Sequence, residues 1–359
     1  MSEHLYYDRQ TILKEVGTEG QKKLKQKKVL IVGAGGLGHP SAIYLAASGI
    51  GEIGIIDFDQ VEYSNLNRQI KFTVDDLGKD KATVLAEKIK NQNPYIHVYP
   101  IVKKLLPENI MEIFRSFDMI LDCSDNLSCK FALHDFSWFL GKDLIQASIH
   151  QYEGQLQCFN YAKKRNSGCL RCLWQEIPDN HCIQNCRDAG VIGAVAGILG
   201  SFQSFEAIKM ILGLGEEHIN KTVMINLLNL KIQKAGWKKN NQCRLCSGET
   251  SLEDILKMHA SRRKSYEKER LDHPGFILVD IRENHEKNND AFSGRHGLLS
   301  LPLSEYRDWK EKINIDKNYL FICQKGIRSE ELVKKLREKN QGNYFSLFGG
   351  IDNVSNTQL

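Results

Sequence analysis

The chain has little of what would mark it as exported, membrane-spanning, fibrous or disordered. Its first ten residues, Met1 to Gln10, are polar and contain no apolar core, so no secretory signal is expected. No apolar run is expected to be long enough to span a membrane. The longest candidate, residues 189–214, is interrupted by glycines and by Gln203, Glu206 and Lys209, and is expected to be a buried, glycine-rich helix. The net charge is only +5 over 359 residues, with basic and acidic side chains interspersed, so nothing in the balance asks for a nucleic acid. The one dense basic run, Lys22, Lys23, Lys25, Lys27 and Lys28, precedes an apolar strand and reads as a solvated helix face. Internal repeats and low-complexity segments are absent. A cytosolic globular protein of two domains is expected from these exclusions and from the length. In that setting ten cysteines point to metal or thiol chemistry before disulfides.

Residues 1–25 read as a polar helix with Leu5, Ile12, Leu13 and Val16 as apolar anchors. Lys28 to Val32 is a continuous apolar run, the pattern of a strand buried on both faces of a parallel sheet. A glycine-rich turn and a helix over about 36–48 follow. Strands are expected at 52–58, 96–102, 119–123, 144–149 and 154–161, with a helix at 79–91. Strand and helix alternate, which predicts a doubly wound α/β sheet. A cysteine-bearing loop region, a long helix near 191–213 and strands near 222–232 complete a first domain, residues 1–250. Composition shifts at Cys246 to Ser251. A polar helix and a fresh strand–helix pattern then follow, with strands at 276–281, 319–323 and 344–347 and a helix at 329–339. They form a second, smaller α/β domain, residues 251–359.

Gly33, Gly35, Gly36 and Gly38 follow a strand and open a helix in G-x-G-x-x-G spacing, which aims backbone N–H groups and a helix N-terminus at a phosphate. Asp57, at the end of the next strand, is placed for a ribose hydroxyl. Taken alone, these residues suggest NAD or FAD. The following ones argue for a triphosphate. Asp59, Asn65, Arg68 and Gln69 lie just after the second strand, Lys81 opens a helix, and Asp125 and Asn126 follow the fourth strand. Open α/β sheets bind ligands at those strand ends. Hydride transfer has no use for two cations and a spare carboxylate around the phosphates. A triphosphate is neutralised by such cations, and the acid can hold magnesium.

With these motifs residues 3–249 resemble the MoeB/ThiF adenylyltransferases, relatives of the ubiquitin-activating enzymes. The resemblance implies a Rossmann-like sheet. It implies that Gly36 and Asp57 contact ATP, that Arg68 and Lys81 contact its phosphates, and that Asp125 binds magnesium with Asn126 nearby. Tyr6 to Gln10 looks like the family's N-terminal motif, which implies that Arg9 reaches the ATP of the other subunit in a homodimer. His39 departs from the pattern, because the family usually carries a small residue there.

Cys169-x-x-Cys172 and Cys243-x-x-Cys246 are two paired knuckles. Four thiolates in two such pairs suit a closed, tetrahedral structural zinc. The long separation between the pairs would clamp the domain's C-terminal end to its crossover region, and the same resemblance implies the same metal. Cys186 lies before the glycine-rich helix with Arg187 beside it, and both the cation and the helix N-terminus favour a thiolate. The matching position in several family members bonds covalently to the carrier, whereas a buried small hydrophobe is the plainer reading. Cys182 is the weaker competitor. Cys123, Cys129 and Cys158 read as core.

Cys323 to Arg328 forms a turn between an apolar strand and a helix, where backbone N–H groups, Lys325 and Arg328 would stabilise a sulfur anion. With Leu278 to Arg282 and Leu301 to Leu303, this resembles a rhodanese-like domain over residues 252–352. Four residues separate Cys323 from Arg328, one fewer than in a protein phosphatase loop, which favours sulfur over phosphate transfer. The two resemblances together imply an enzyme that adenylylates the C-terminal glycine of a ubiquitin-like sulfur carrier ending in Gly-Gly. A persulfide on Cys323, charged by a cysteine desulfurase or thiosulfate, would then form the thiocarboxylate. Such products feed molybdopterin, thiamine or thiolated-tRNA synthesis. The alternatives are a non-catalytic scaffold that holds nucleotide and carrier, and an NAD-dependent oxidoreductase.

Overall fold

The computed structural model describes residues 2–162, 167–177, 190–215, 218–264, 276–287, 292, 297–339, 342–347 and 350–351. The chain divides into two compact units, Met1–Lys257 and Met258–Leu359. The border falls inside the helix Leu252–Lys264, because its first turns, through Leu252, Ile255 and Leu256, belong to the apolar core of the first unit.

The first unit is built on an eight-stranded sheet of order β3-β2-β1-β4-β5-β6-β7-β8. The strands are β1 (Lys28–Val32), β2 (Glu52–Ile56), β3 (His97–Ile101), β4 (Met119–Asp122), β5 (Asp143–His150), β6 (Glu153–Phe159), β7 (Lys221–Asn226) and β8 (Lys231–Gly236). Strands β1 to β5 are parallel, while β6, β7 and β8 add on antiparallel. The all-apolar run of β1 divides by alternation. Val29 and Ile31 enter the core on one face of the sheet, and Leu30 and Val32 enter the core on the other. Each such side chain, removed from water completely, contributes on the order of 2 kcal/mol. The order of strands reverses at β1, so the crevice between the C-terminal ends of β1 and β4 is where a doubly wound sheet takes a ligand.

The helix Gly193–Leu212 is long and apolar enough to cross a membrane by length and composition. The expectation that no run reaches that length is corrected here: its polar residues are too few to break it. Val195, Ala196, Leu199, Ala207 and Met210 are buried in the core. Gly200 lets the helix lie against the helix Gly38–Ala47, since a Cβ there would stand 2.4 Å from Pro40.

The N-terminal region is not one helix. It forms three short ones, Glu3–Tyr6, Asp8–Thr11 and Gly17–Lys25, with Gly17 in the left-handed region at φ +53°. Leu5, Ile12 and Leu13 are exposed rather than anchoring, and Tyr7, Gly20 and Leu24 are the buried residues among those described. Two further helices, Pro107–Arg115 and Leu127–Leu140, cover the second face of the sheet.

The second unit carries a parallel sheet of order β10-β9-β11-β12, made of β9 (Phe276–Asp280), β10 (Leu299–Ser300), β11 (Asn318–Ile322) and β12 (Tyr344–Ser346). The helix Ile327–Lys339 follows β11 and closes one side of its core through Leu332, Val333 and Leu336.

Candidate functional site

The glycine turn leaves β1 through Gly33, whose φ of +101° and close approach to Cys123 O, 2.9 Å from an added Cβ, admit no other residue. Gly38 is equally constrained, because a Cβ would fall 2.0 Å from Gly33 O. A Cβ on Gly35 meets nothing within 4 Å. The turn therefore faces open space just where the helix Gly38–Ala47 begins, which is the cradle a phosphate chain needs.

The expected partners follow β2 and β4 or, for Lys81, open the helix Lys81–Gln92. Asp57 accepts hydrogen bonds from Ala34 N at 2.7 Å and Asp59 N at 2.8 Å, so it ties the turn to the end of β2. Burial pushes the Asp57 carboxyl up, against those two donors. Lys81 is only 7% exposed and reaches Asp59 at 3.3 Å. Arg68 is half-buried and donates to Ser64 O and Asn67 Oδ1 at 2.8 and 3.0 Å. Asn65 is buried and accepts from Glu62 N, while the buried Gln69 Oε1 has no partner. Gly36 lies beside Arg68, 3.7 Å from its Cγ for an added Cβ. Asp125 and Asn126 are exposed after β4, and Asn126 caps the helix Leu127–Leu140 through Cys129 N at 2.8 Å.

A buried polar frame, not legible as a motif, holds the β4 end. Asp122 is fully buried and accepts from Lys130 Nζ at 3.2 Å, Gln146 Nε2 at 2.8 Å and Ser124 Oγ at 2.6 Å. Gln203 donates to both Asp122 O and Ile145 O at 2.9 Å. This frame fixes the backbone that presents Asp125. Its signal in the sequence was a glutamine inside each of two apolar runs, since a buried amide is costly unless it is hydrogen-bonded.

Arg9 is exposed, whereas its neighbours are anchored. Tyr7 OH accepts from Asn93 at 2.8 Å and Gln10 donates to Ser48 O at 2.8 Å. Ser48 lies past the C-terminal end of the helix Gly38–Ala47, about 15 Å along its axis from the glycine turn.

The four knuckle cysteines converge, with all four Sγ atoms within 4.8 Å of one another. Sulfur separations are 3.8 Å for Cys169–Cys172, 3.6 Å for Cys169–Cys243 and 3.6 Å for Cys172–Cys246. The edge of a tetrahedron with zinc–sulfur bonds of about 2.3 Å is roughly 3.8 Å, so the donor set fits that ion. Hydrogen bonds from Cys169 and Cys246 hold the Cys243 thiol well down, and sharing with Cys243 pushes Cys169 up. A buried chain of side chains supports the first knuckle: Arg171 grips Asp135 at 2.7 Å, Asp135 meets His134 at 2.9 Å, and His134 meets Tyr161 at 2.6 Å.

Cys123 and Cys158 are buried, and burial raises both, Cys123 to about 12. Cys129 is half-buried and is raised by burial to about 12 as well. Cys182, Cys186 and Arg187 lie outside the described residues.

Cys323 follows β11 and is 1% exposed. Its sulfur is 3.5 Å from Ser329 N and 3.4 Å from Ser329 Oγ, at the start of the helix Ile327–Lys339. Gly326, at φ +79°, turns the loop. The expected flanking cations differ in what the structure does with them. Lys325 is exposed, and Arg328 forms a two-pronged ion pair with Glu286 at 2.7 and 2.5 Å. That pairing holds the Glu286 carboxyl at about 2 and raises Arg328. Asp280 grips the fully buried Arg282 at 2.9 Å, and Arg282 donates to Gln324 in the loop at 3.1 Å.

Comparison with known proteins gives a consistent picture. A family model described as the ThiF family matches residues 7–245. A Thermus thermophilus sulfur carrier protein adenylyltransferase is 35% identical, aligned over 71% of this chain and 94% of its own. A Xenopus laevis protein named adenylyltransferase and sulfurtransferase MOCS3 is 36% identical, over 93% of this chain and 81% of its own. Among solved structures, E. coli MccB with ATP superposes with a TM-score of 0.58 at 26% identity, covering 67% of this chain and 74% of that one.

Proposed function

The chain belongs to the ThiF family, and from that premise we propose that it adenylylates the C-terminal carboxylate of a ubiquitin-like sulfur carrier and converts it to a thiocarboxylate through Cys323. A carrier oxygen attacks the α-phosphorus of ATP, the bond to the β-phosphate oxygen breaks, and pyrophosphate leaves an acyl-adenylate. No protein base is needed, because a carboxylate is already a nucleophile. Arg68 and Lys81 stabilise charge on the phosphates, and the turn at Gly33, Gly35, Gly36 and Gly38 supplies backbone donors. Asp57 and Asp59 take the ribose side, with Asn65 and Gln69 behind them. Asp125, beside Asn126, would hold a magnesium ion that neutralises phosphate charge.

A persulfide on Cys323 then attacks the acyl carbon and expels AMP. A second thiol reduces the resulting acyl disulfide, freeing the thiocarboxylate and leaving the enzyme sulfur in a disulfide with that thiol. Cys186 is our candidate for it. Sulfur reaches Cys323 from a desulfurase persulfide or thiosulfate, and Arg328 supports the anion. Zinc at Cys169, Cys172, Cys243 and Cys246 is structural, and the reduced thiols suit a cytosolic setting.

We further assign a homodimer in which Arg9 serves the other copy's nucleotide. Arg9 sits about a helix length from its own turn. Tyr44, Ile70, Phe202 and Phe205 are exposed around one apolar groove beside that helix.

The observation that carries the proposal is the open cradle at Gly35, with Arg68 after β2, Asp125 after β4 and Lys81 at the start of the helix Lys81–Gln92. Carrier-dependent exchange of labelled pyrophosphate into ATP tests it. A nucleotide-holding scaffold would show no exchange.

A further inference from the structure

His39 is fully buried in the first turn of the helix Gly38–Ala47. Its Nδ1 lies 2.9 Å from Gly35 O, which also accepts the His39 backbone N–H at 3.1 Å. A carbonyl acceptor requires a proton on Nδ1, so Nε2 is left bare, and it has no hydrogen-bond partner. The ring stands edge-on to Phe72, centroids 4.4 Å apart and planes at 90°. Phe72 is buried, and its N–H bonds Gln69 O at 2.9 Å. One imidazole therefore touches both halves of the cradle: the glycine turn through Gly35, and the segment carrying Asn65, Arg68 and Gln69 through Phe72.

We propose that His39 is a positioning residue for the nucleotide, locking the Gly35–Gly36 peptide so that the Gly36 N–H faces the phosphate cradle. In a planar trans peptide the N–H points opposite the carbonyl. Pinning Gly35 O into the helix therefore aims Gly36 N–H outward. Two successive glycines leave that peptide soft, and without the imidazole only the His39 backbone N–H would hold it. A ligand that needs the N–H would then have to order it on binding, which weakens affinity without altering the chemical step.

The inference rests on the cradle binding ATP, and the test separates the two. Pyrophosphate exchange is measured for the wild type, His39→Ala, His39→Asn and His39→Gln, with ATP and carrier varied separately. Asn places its amide nitrogen close to where Nδ1 stands, and Gln places it near Nε2. His39→Ala should raise the KM for ATP about tenfold, with kcat and the carrier KM within about twofold. His39→Asn should recover most of that loss, and His39→Gln should not. An ATP KM in His39→Ala within twofold of wild type overturns the lock, as does equal behaviour of the Asn and Gln variants. A wild type with no exchange at all instead defeats the ATP reading. Should the variants not fold, nitrogen-15 NMR of the wild type reads the tautomer directly: a proton on Nδ1 is expected, and one on Nε2 overturns the lock.

Discussion

The glycine turn after β1 and the cysteine loop after β11 use the same device: a parallel strand, a turn containing glycine, and a helix whose N-terminus meets an anion. They differ in what already fills them. The first is empty in front of Gly35 and rimmed by residues partly or wholly in solvent, Arg68 and Asp125. The second is closed on itself, with Cys323 1% exposed, its carbonyl bonded to Ile351 N at 3.1 Å and Arg328 already paired with Glu286. An open cradle suits a substrate that enters and leaves each cycle. A closed one suits a covalently held sulfur that has to be kept from water.

Changes that touch one cradle and spare the other test this contrast. Arg68→Ala or Asp125→Ala should lower carrier-dependent pyrophosphate exchange by about 10²-fold or more. Both residues are at the rim, so melting temperature should hold within a few degrees and thiosulfate turnover at Cys323 should not change. Wild-type exchange in either variant would remove that residue from the triphosphate site. Replacing Cys243 and Cys246 together by serine should abolish zinc content, read by metal analysis. It should also lower the first unit's melting temperature by about 10 °C or more. Freshly reduced wild-type protein without zinc would end that assignment.

Acid should weaken the first unit through His39, whose folded-state pKa burial lowers to about 4 from 6.5, helped by the nearby Lys81, Lys88 and Lys71. Between those values the unfolded chain binds a proton that the folded one refuses, so stability rises with pH. The contribution is complete above about 6.5 and is lost as pH falls toward 4, up to about 3 kcal/mol. Chemical denaturation of wild type against His39→Asn at pH 7 and pH 5 should show the steeper slope in the wild type, because the buried His134, also lowered by burial, contributes to both. The smallest effect concerns Glu286→Gln, which frees Arg328. A partly exposed pair is worth about 1 kcal/mol or less, so thiosulfate sulfurtransferase activity should rise a few-fold, with exchange unchanged.

The strands were legible because β1, β2 and β4 are short runs, apolar but for one charged residue at an end, and the glycine turn and cysteine knuckles because their meaning lies in spacing. The helix Leu127–Leu140 was missed for the opposite reason. It buries Phe131, Leu133, His134, Phe136 and Trp138 on more than one side, so it shows no single apolar stripe. The frame around Asp122 joins residues far apart in the chain, Gln203 to Asp122 among them, and no local pattern records such a pairing. Arg328 was expected in the cysteine loop and lies instead in the first turn of the helix Ile327–Lys339; its pairing with Glu286 spans 42 positions, and the sequence offers no sign of it. The surroundings of Cys323 likewise depend on residues at and beyond the last strand: Ser346, which bonds Ser329 and Gly326 of the loop, and Ile351, whose N–H bonds the Cys323 carbonyl.

Mass spectrometry of the carrier after incubation with ATP, a sulfur donor and the Cys323→Ala chain most directly tests the division of labour between the two cradles. The adenylation cradle contains no thiol that the first step needs. The variant should therefore form acyl-adenylate at the wild-type rate and yield no thiocarboxylate. Thiocarboxylate at the wild-type rate from Cys323→Ala would show that the sulfur comes from elsewhere.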